Sequence, residues 1–162
     1  MNYHIIHVGD SKEKYWTDAF AEYEKRLGGA LHDHPIKPVK LPENCSEALI
    51  TAALEKEAEA IREKLKKISP TGSGLKKIAL CIEGKQLSSE ELSKKFDGWK
   101  NDGITDAAFV IGSSFGLSEN LKNACEKLSM SKMTFPHQMA RVILSEQIYR
   151  AECISAGAKY HK

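Results

Sequence analysis

The sequence predicts an α/β fold in which a mostly parallel sheet is covered by helices on both faces. Segments with the residue spacing of strands and of helices alternate along the 162 residues. Residues 78–82 and 107–111 are continuously apolar, which is typical of strands buried on both faces. The length is close to that of one domain, so residues 1–162 are expected to form a single domain.

The first half of the chain supplies two predicted strands and two predicted helices. Residues 3–8 form an apolar run and predict the first strand. Aromatic residues at helical spacing follow, and Gly28 ends that helix. Residues 35–41 contain two prolines and predict a short or edge strand. The apolar positions of residues 46–68 mark an amphipathic helix with a charged outer face.

The second half continues the alternation with three strands and three helices. The strands are expected at residues 78–82, 107–111 and 128–133, and the helices at 88–99, 118–127 and 137–155. Ser88 and Glu91 have the spacing of a capping box, in which two side chains satisfy backbone groups at a helix start. Pro136 suits the entrance to the last helix.

The composition excludes several classes of protein. Hydrophobic residues make up 41% of the chain and charged residues 28%, so neither disorder nor a coiled-coil fibre is expected. The formal net charge of +2 is far from that of a strongly basic nucleic-acid-binding domain. Residues 1–10 lack a secretory signal, and no apolar run could span a membrane. We expect a cytoplasmic protein with four reduced, widely spaced cysteines: Cys45, Cys81, Cys125 and Cys153.

The net charge is unevenly distributed along the chain. Residues 1–120 carry a net charge of −2, and residues 121–162 carry +4. Such a split indicates either an anionic partner at the C-terminal end or a solvated face with chance clustering.

In parallel sheets, ligands bind outside the carboxyl ends of the strands, which directs attention to the segments after the last three strands. Gly112 and Gly116 would let backbone N–H groups approach a ligand there, although their spacing matches neither a dinucleotide nor a P-loop motif. Residues 130–139 predict either an apolar pocket or a simple helix entrance with methionine as core filler. Residues 32–34 (His-Asp-His) have no further ligand at suitable spacing, so no metal site is expected.

The last helix and the C-terminus carry candidate RNA-binding groups. Arg141 lies near the helix start, where a cation opposes the helix dipole, so it is a candidate for a phosphate or carboxylate partner. Glu146 and Arg150 have the spacing of a surface ion pair. Tyr160 and His161 suit an unstacked RNA base, or form part of a frayed end.

Several ordered motifs resemble one known family over nearly the whole chain. The strongest are SKMTFPHQM at residues 131–139, EQIYR at 146–150 and YHK at 160–162. Weaker matches lie at residues 8–9, 14–16, 22–27, 84–85, 88–90, 110–112 and 116–117. On these motifs the chain is similar to the ribosomal RNA large subunit methyltransferase H family of the SPOUT class.

The resemblance implies a SPOUT α/β-knot, whose C-terminal part threads into a deep trefoil knot. It also implies a homodimer and S-adenosyl-L-methionine as cofactor. Carried over by motif, the cofactor-binding residues are Leu80, Gly112, Met130, Ser131, Lys132, Met133, Thr134 and Phe135.

The activity implied by the resemblance is methylation of N3 of a pseudouridine in 23S rRNA, within the large subunit or the assembled ribosome. Attack by N3 requires loss of its proton, so a base or an anion stabiliser is needed. The expected catalytic group is His161, Glu146 and Arg141, with His161 or Glu146 assisting deprotonation. The RNA is expected to contact Arg141, Arg150, Tyr160 and His161.

One position departs from the family pattern. Ser113 stands where the family usually has a second glycine, and a positive φ there would cost roughly 1–2 kcal/mol and weaken cofactor binding. The alternatives are a non-catalytic ribosome-binding module of the same fold, or a SPOUT enzyme acting on another RNA such as tRNA.

Overall fold

The computed structural model describes residues 1–9 and 13–160 of the chain. Within these residues, five strands form one sheet: β1 (Asn2–Val8), β2 (Leu31–Ile36), β3 (Leu75–Gln86), β4 (Asp106–Ile111) and β5 (Glu126–Ser129). The helices between and after them are α1 (Lys14–Arg26), α2 (Glu47–Ile68), α3 (Ser89–Asn101), α4 (Glu119–Asn123) and α5 (His137–Ser155).

The sheet is parallel throughout and has the strand order β2-β1-β4-β3-β5. The predicted α/β class is therefore confirmed. β4 occupies the centre, and its residues from Ala107 to Ile111 are all buried, as their continuous apolar run predicts. β2 is an edge strand, where Pro35 removes no hydrogen bond from the interior of the sheet.

Helices cover both faces of the sheet. Helices α1, α3 and α5 pack on one face around Phe96, Phe109 and Ile148. Helices α2 and α4 pack on the other face around Val110 and Leu121. The two apolar layers hold the carboxyl ends of the strands in fixed positions at one edge of the molecule.

Several predicted boundaries are wrong. β2 begins at Leu31 rather than at residue 35, because the polar residues 32–34 lack the apolar pattern of a strand, although His34 contacts His4 of β1. β5 covers Glu126–Ser129 rather than residues 128–133, and α4 is correspondingly shorter than expected. β3 continues past residue 82 to Gln86, because pairing with β5 resumes after an irregularity.

Two helix starts match the expectation from sequence. At α3, the Ser88 hydroxyl accepts a hydrogen bond from the Glu91 amide, and the Glu91 carboxylate accepts one from the Ser88 amide. Pro136 precedes the first residue of α5. The four cysteines are free thiols. No helix in the described part of the chain combines the length and apolarity needed to cross a membrane.

Candidate active site

A cavity of about 670 Å³ opens at the carboxyl edge of the sheet. Its walls come from the middle of β3, the turn after β4, the segment before α5 and the first residues of α5. Sequence reasoning selected the segments after three strands, and parts of all three regions meet here. The cavity has the size of a small-molecule site.

A tight turn after β4 forms one wall. The Gly116 amide donates a hydrogen bond to the Ser113 carbonyl at 2.9 Å, and Gly116 has φ +87°. A Cβ added to Gly112 would lie 2.2 Å from the Gly116 carbonyl oxygen, so only glycine allows this close approach. Among the described residues only glycines have positive φ, so Ser113 does not carry the expected strain.

The second wall is the irregular part of β3. β5 pairs with Leu80 and then with Lys85, so the intervening residues bulge out of the ladder. A Cβ on Gly84 would lie 2.5 Å from the Leu128 carbonyl carbon, which explains why glycine is needed where the two strands meet. The bulge leaves the Ile82 side chain half exposed at the cavity.

At the same wall, Lys122 forms ion pairs with two carboxylates. Lys122 Nζ is 2.6 Å from Glu83 Oε1 and 2.5 Å from Glu119 Oε1. Hydrogen bonds that Lys122 donates to Glu119 and Glu83 raise the pKa of Lys122, and the bond from Lys122 lowers the pKa of Glu83. Both groups are therefore charged at neutral pH. Sequence reasoning did not select them, although Glu83 directly follows an apolar strand run.

The third wall is the segment between β5 and α5. Its backbone is ordered by two side chains: the Ser129 hydroxyl donates to the Ser131 carbonyl, and the Ser131 hydroxyl accepts from the Met133 amide. Met133 is 72% exposed at the cavity rim. Seven of the predicted cofactor residues line the cavity: Leu80, Gly112, Met130, Ser131, Met133, Thr134 and Phe135. Lys132 does not line it.

His137 also lines the cavity. Its ring packs against Gly9, where a Cβ would lie 2.8 Å from Nε2. Burial, with the neighbouring His7 contributing, lowers the pKa of His137 below its usual range. His137 is thus neutral at pH 7 and able to accept a proton or a hydrogen bond. His137 belongs to the motif at residues 131–139, but sequence reasoning assigned it no role.

The structure does not bring Arg141 to the cavity. Its guanidinium is 3% exposed, donates two hydrogen bonds to Asp33 at 3.1 and 2.8 Å, and stacks 4.1 Å from the centre of the Phe20 ring. Asp33 Oδ1 also lies 3.2 Å from Nε2 of the buried His7, without the alignment of a hydrogen bond. The carboxylate partner expected for this cation is therefore a side chain of the same chain.

The other predicted catalytic and RNA-binding residues form a separate cluster. Glu146 Oε1 accepts hydrogen bonds from Arg150 and, at 3.2 Å, from the Tyr160 hydroxyl. The Arg150 guanidinium lies 4.9 Å from the centre of the Tyr160 ring, and Tyr149 packs edge-on against the same ring. His161 lies outside the described residues.

The cavity lies at the N-terminal end of α5, and this cluster begins at the middle of the helix, where Glu146 follows His137 by nine residues, about 14 Å along the axis. His137 lines the cavity, and Arg150 follows it by thirteen helical residues, a span of about 20 Å along the axis. Within one chain the predicted cofactor site and the predicted RNA-binding cluster therefore do not meet. Several cations of the basic C-terminal segment, namely Lys122, Arg141 and Arg150, are already held in ion pairs.

The arrangement can hold a cofactor of nucleoside size. Apolar walls, serine and threonine hydroxyls, a glycine turn and the ion pair of Glu83 with Lys122 surround the cavity. The described residues include no group of three or more His, Cys, Asp or Glu side chains placed to hold a metal ion.

Comparison with known proteins gives three findings. Residues 1–161 match the family model described as "Predicted SPOUT methyltransferase". The chain is 47% identical, over the full length of both proteins, to a protein of Methanococcus maripaludis named "Putative ribosomal RNA large subunit methyltransferase H". A solved structure from Bacillus anthracis, titled as a "putative RNA methyltransferase", has a TM-score of 0.54 at 15% identity and covers 99% of this chain and 100% of its own. That last likeness supports the fold alone.

Proposed function

The chain belongs to the SPOUT methyltransferase family, and we propose that it methylates N3 of a pseudouridine in 23S rRNA, using S-adenosyl-L-methionine. The name of the Methanococcus maripaludis relative supports an RNA of the large ribosomal subunit as substrate. The observation that carries the proposal is that seven residues selected by motif line one cavity. We expect this protein to encounter the ribosome in the cytoplasm.

The cavity residues fit this cofactor. Gly112 and Gly116 approach each other closely, because a Cβ at Gly112 would collide with Gly116, and the tight turn that they form lines the cavity. Met130 and Phe135 supply apolar walls, and the ion pair of Glu83 with Lys122 supplies polar groups. When bound, S-adenosyl-L-methionine supplies a methyl group on a sulfonium for in-line transfer, a reaction that depends chiefly on positioning.

The remaining requirement is removal of the N3 proton. We propose that Glu146 or His161 assists this step and that Arg150 and Tyr160 bind the RNA. Glu146 already accepts hydrogen bonds from Arg150 and Tyr160, so its carboxylate is oriented by the residues that would contact RNA. Arg141 would act indirectly, by holding α5 to Asp33.

We further propose that the active enzyme is a homodimer. Within one chain, Glu146 lies about 14 Å and Arg150 about 20 Å along α5 from His137 in the cavity. A second copy, arranged so that its C-terminal end faces the first cavity, would bring the two together. Ile82, Phe115 and Met133 are exposed apolar side chains around the cavity mouth, as expected of a surface that a partner covers.

The decisive experiment is mass spectrometry of rRNA nucleosides from a strain that lacks this protein. We expect 3-methylpseudouridine to disappear from 23S rRNA and to return when the wild-type chain is supplied. Persistence of the nucleoside would refute the proposed substrate, and loss of a methyl group from tRNA instead would identify another RNA target. Calorimetry with S-adenosyl-L-methionine tests the alternative of a non-catalytic module, which would show no binding.

A further inference from the structure

A second cavity of about 300 Å³ adjoins the candidate cofactor cavity. The two share Ser113, Ser114 and Phe115, so the turn after β4 separates them and lines both. The other walls come from residues 38–43, which follow β2, and from α2. Prolines and aliphatic side chains make most of this surface apolar.

A buried carboxylate lies in this second cavity. Glu57 on α2 is 5% exposed, and its Oε1 accepts a hydrogen bond from the Val39 amide at 2.9 Å. Its Oε2 is buried and accepts no hydrogen bond from the described residues. An unpaired buried carboxylate oxygen is costly, so it indicates a position built to accept a hydrogen bond from a ligand.

We propose that the second cavity binds a nucleobase with an exocyclic amino group, from an RNA nucleotide next to the one that is methylated. The amino group donates to Glu57 Oε2, and the half-exposed Phe115 ring offers a stacking surface. The cavity is large enough for one base. This inference rests on the proposed function, because it takes the adjoining cavity as the site of methyl transfer.

The charges favour an amino-bearing base over uracil. The N3–H of uracil lies between two carbonyl oxygens, which the carboxylate of Glu57 repels. The amino group of cytosine, adenine or guanine offers a donor to a single free oxygen. Lys37 and Lys40 are exposed on either side of Val39, where they can contact the phosphates of the same strand.

The test compares cytidine 5′-monophosphate with uridine 5′-monophosphate, which share the sugar and the phosphate and differ in the amino or carbonyl group of the base. Each is titrated into the wild-type protein and followed by NMR. We expect shifts at Leu54 and Phe115, and about tenfold tighter binding of the cytidine nucleotide, the effect of one hydrogen bond to a charged group. Equal affinities, or shifts confined to other surfaces, would overturn the inference.

Glu57→Gln gives a sharper comparison. In the variant, the amide oxygen can still accept the hydrogen bond from the Val39 amide. The amide nitrogen takes the place of Oε2, so a donor stands where the wild type has an acceptor. The preference should then reverse toward the uridine nucleotide. Glu59→Gln, an exposed position on the same helix, makes the same charge change and should leave the preference as in wild type. If Glu57→Gln fails to fold, the wild-type ratio alone decides.

The outcome separates this inference from the proposed function. A protein that binds S-adenosyl-L-methionine and methylates rRNA, but does not distinguish the two nucleotides, would disprove the base site and leave the enzyme assignment standing. If the cytidine nucleotide is preferred, with shifts at Leu54 and Phe115, but S-adenosyl-L-methionine does not bind, the base site stands and the proposed enzymatic function is disproved.

Discussion

Gly112 is the single residue on which the shape of the candidate cofactor cavity most depends. Gly112→Ala places a Cβ 2.2 Å from the Gly116 carbonyl oxygen, so the turn that lines the cavity must move. We expect the affinity for S-adenosyl-L-methionine to fall by about tenfold or more, measured by isothermal titration calorimetry.

The matched control is Gly98→Ala. Gly98 lies on the exposed side of α3, and no atom of the described residues lies within 4 Å of its added Cβ. Alanine there should leave cofactor affinity unchanged and raise the free energy of unfolding by about 1 kcal/mol, because alanine favours helices. Normal cofactor binding by Gly112→Ala would show that the cofactor does not approach this turn.

The sequence predicts that Arg141 has an anionic partner, but it does not predict which residue that partner is. Its poor placement at a helix start indicates an anionic partner, and the structure supplies Asp33 from β2, 108 positions away. Arg141→Met should lower the free energy of unfolding by about 3 kcal/mol, because Asp33 would be left without its charge partner. Urea denaturation measures the loss.

A second variant distinguishes structural from RNA-binding roles. Adding Asp33→Asn to Arg141→Met removes the unpaired charge and should recover part of the lost stability. If Arg141→Met instead kept wild-type stability and lost only RNA affinity, the residue would serve the RNA directly, as the resemblance implies.

At the scale of elements, the pairing of β1 with β2 makes stability depend on pH. His4 Nδ1 lies 3.0 Å from His34 Nε2, and the two rings stack. Burial lowers the pKa of His34 from the usual 6.5 to about 4, with His4, Lys64 and His32 contributing. The unfolded chain takes up this proton near pH 6.5 and the folded chain near pH 4, so stability is lost as pH falls through that window.

The measurement is the urea midpoint as a function of pH. We expect it to fall between pH 6.5 and pH 4 in the wild type, and to fall less steeply in His34→Gln, which cannot be protonated. The difference between the two curves reports His34 together with His4, because the two rings are in contact and burial lowers the pKa of both. Parallel curves would mean that His34 is as easily protonated in the folded chain as in the unfolded one.

Element positions are predictable where one face or both faces are apolar. The run at 107–111 predicts β4 because every residue of it is buried, and Ser88 with Glu91 predicts the start of α3. The extension of β3 is not predictable, because Gly84 looks like a strand end. It instead allows contact with Leu128 on a strand more than forty residues later. Local patterns contain no information on such partners.

At the scale of the whole molecule, the charge pattern alone does not locate the RNA. Residues 121–162 carry a net charge of +4, yet three of their cations form ion pairs with carboxylates: Lys122, Arg141 and Arg150. The knot and the dimer stay predictions from family resemblance, since neither threading nor a second chain leaves a pattern in local residue spacing. What the structure adds is the separation of the cavity from the Glu146 cluster along α5.

That separation predicts active sites shared between two chains. Gly112→Ala impairs the cavity and Tyr160→Ala impairs the cluster, so with subsaturating cofactor each variant alone should keep about a tenth or less of wild-type rRNA methylation. In a mixed dimer, the intact cavity of the Tyr160→Ala chain would meet the intact cluster of the Gly112→Ala chain. An equal mixture that exchanges subunits should therefore regain about a quarter of wild-type activity, since half of the dimers are mixed and each has one complete site.

The same mixture excludes the alternative arrangement. If cavity and cluster of one chain worked together, both sites of every mixed dimer would contain one defect, and no activity would return. Sedimentation of the separate variants provides the control, because each must still form dimers for the mixture to be informative. Restored activity thus requires that the Tyr160 end of one chain reaches the Gly112 cavity of its partner, because α5 separates these two regions within a single chain.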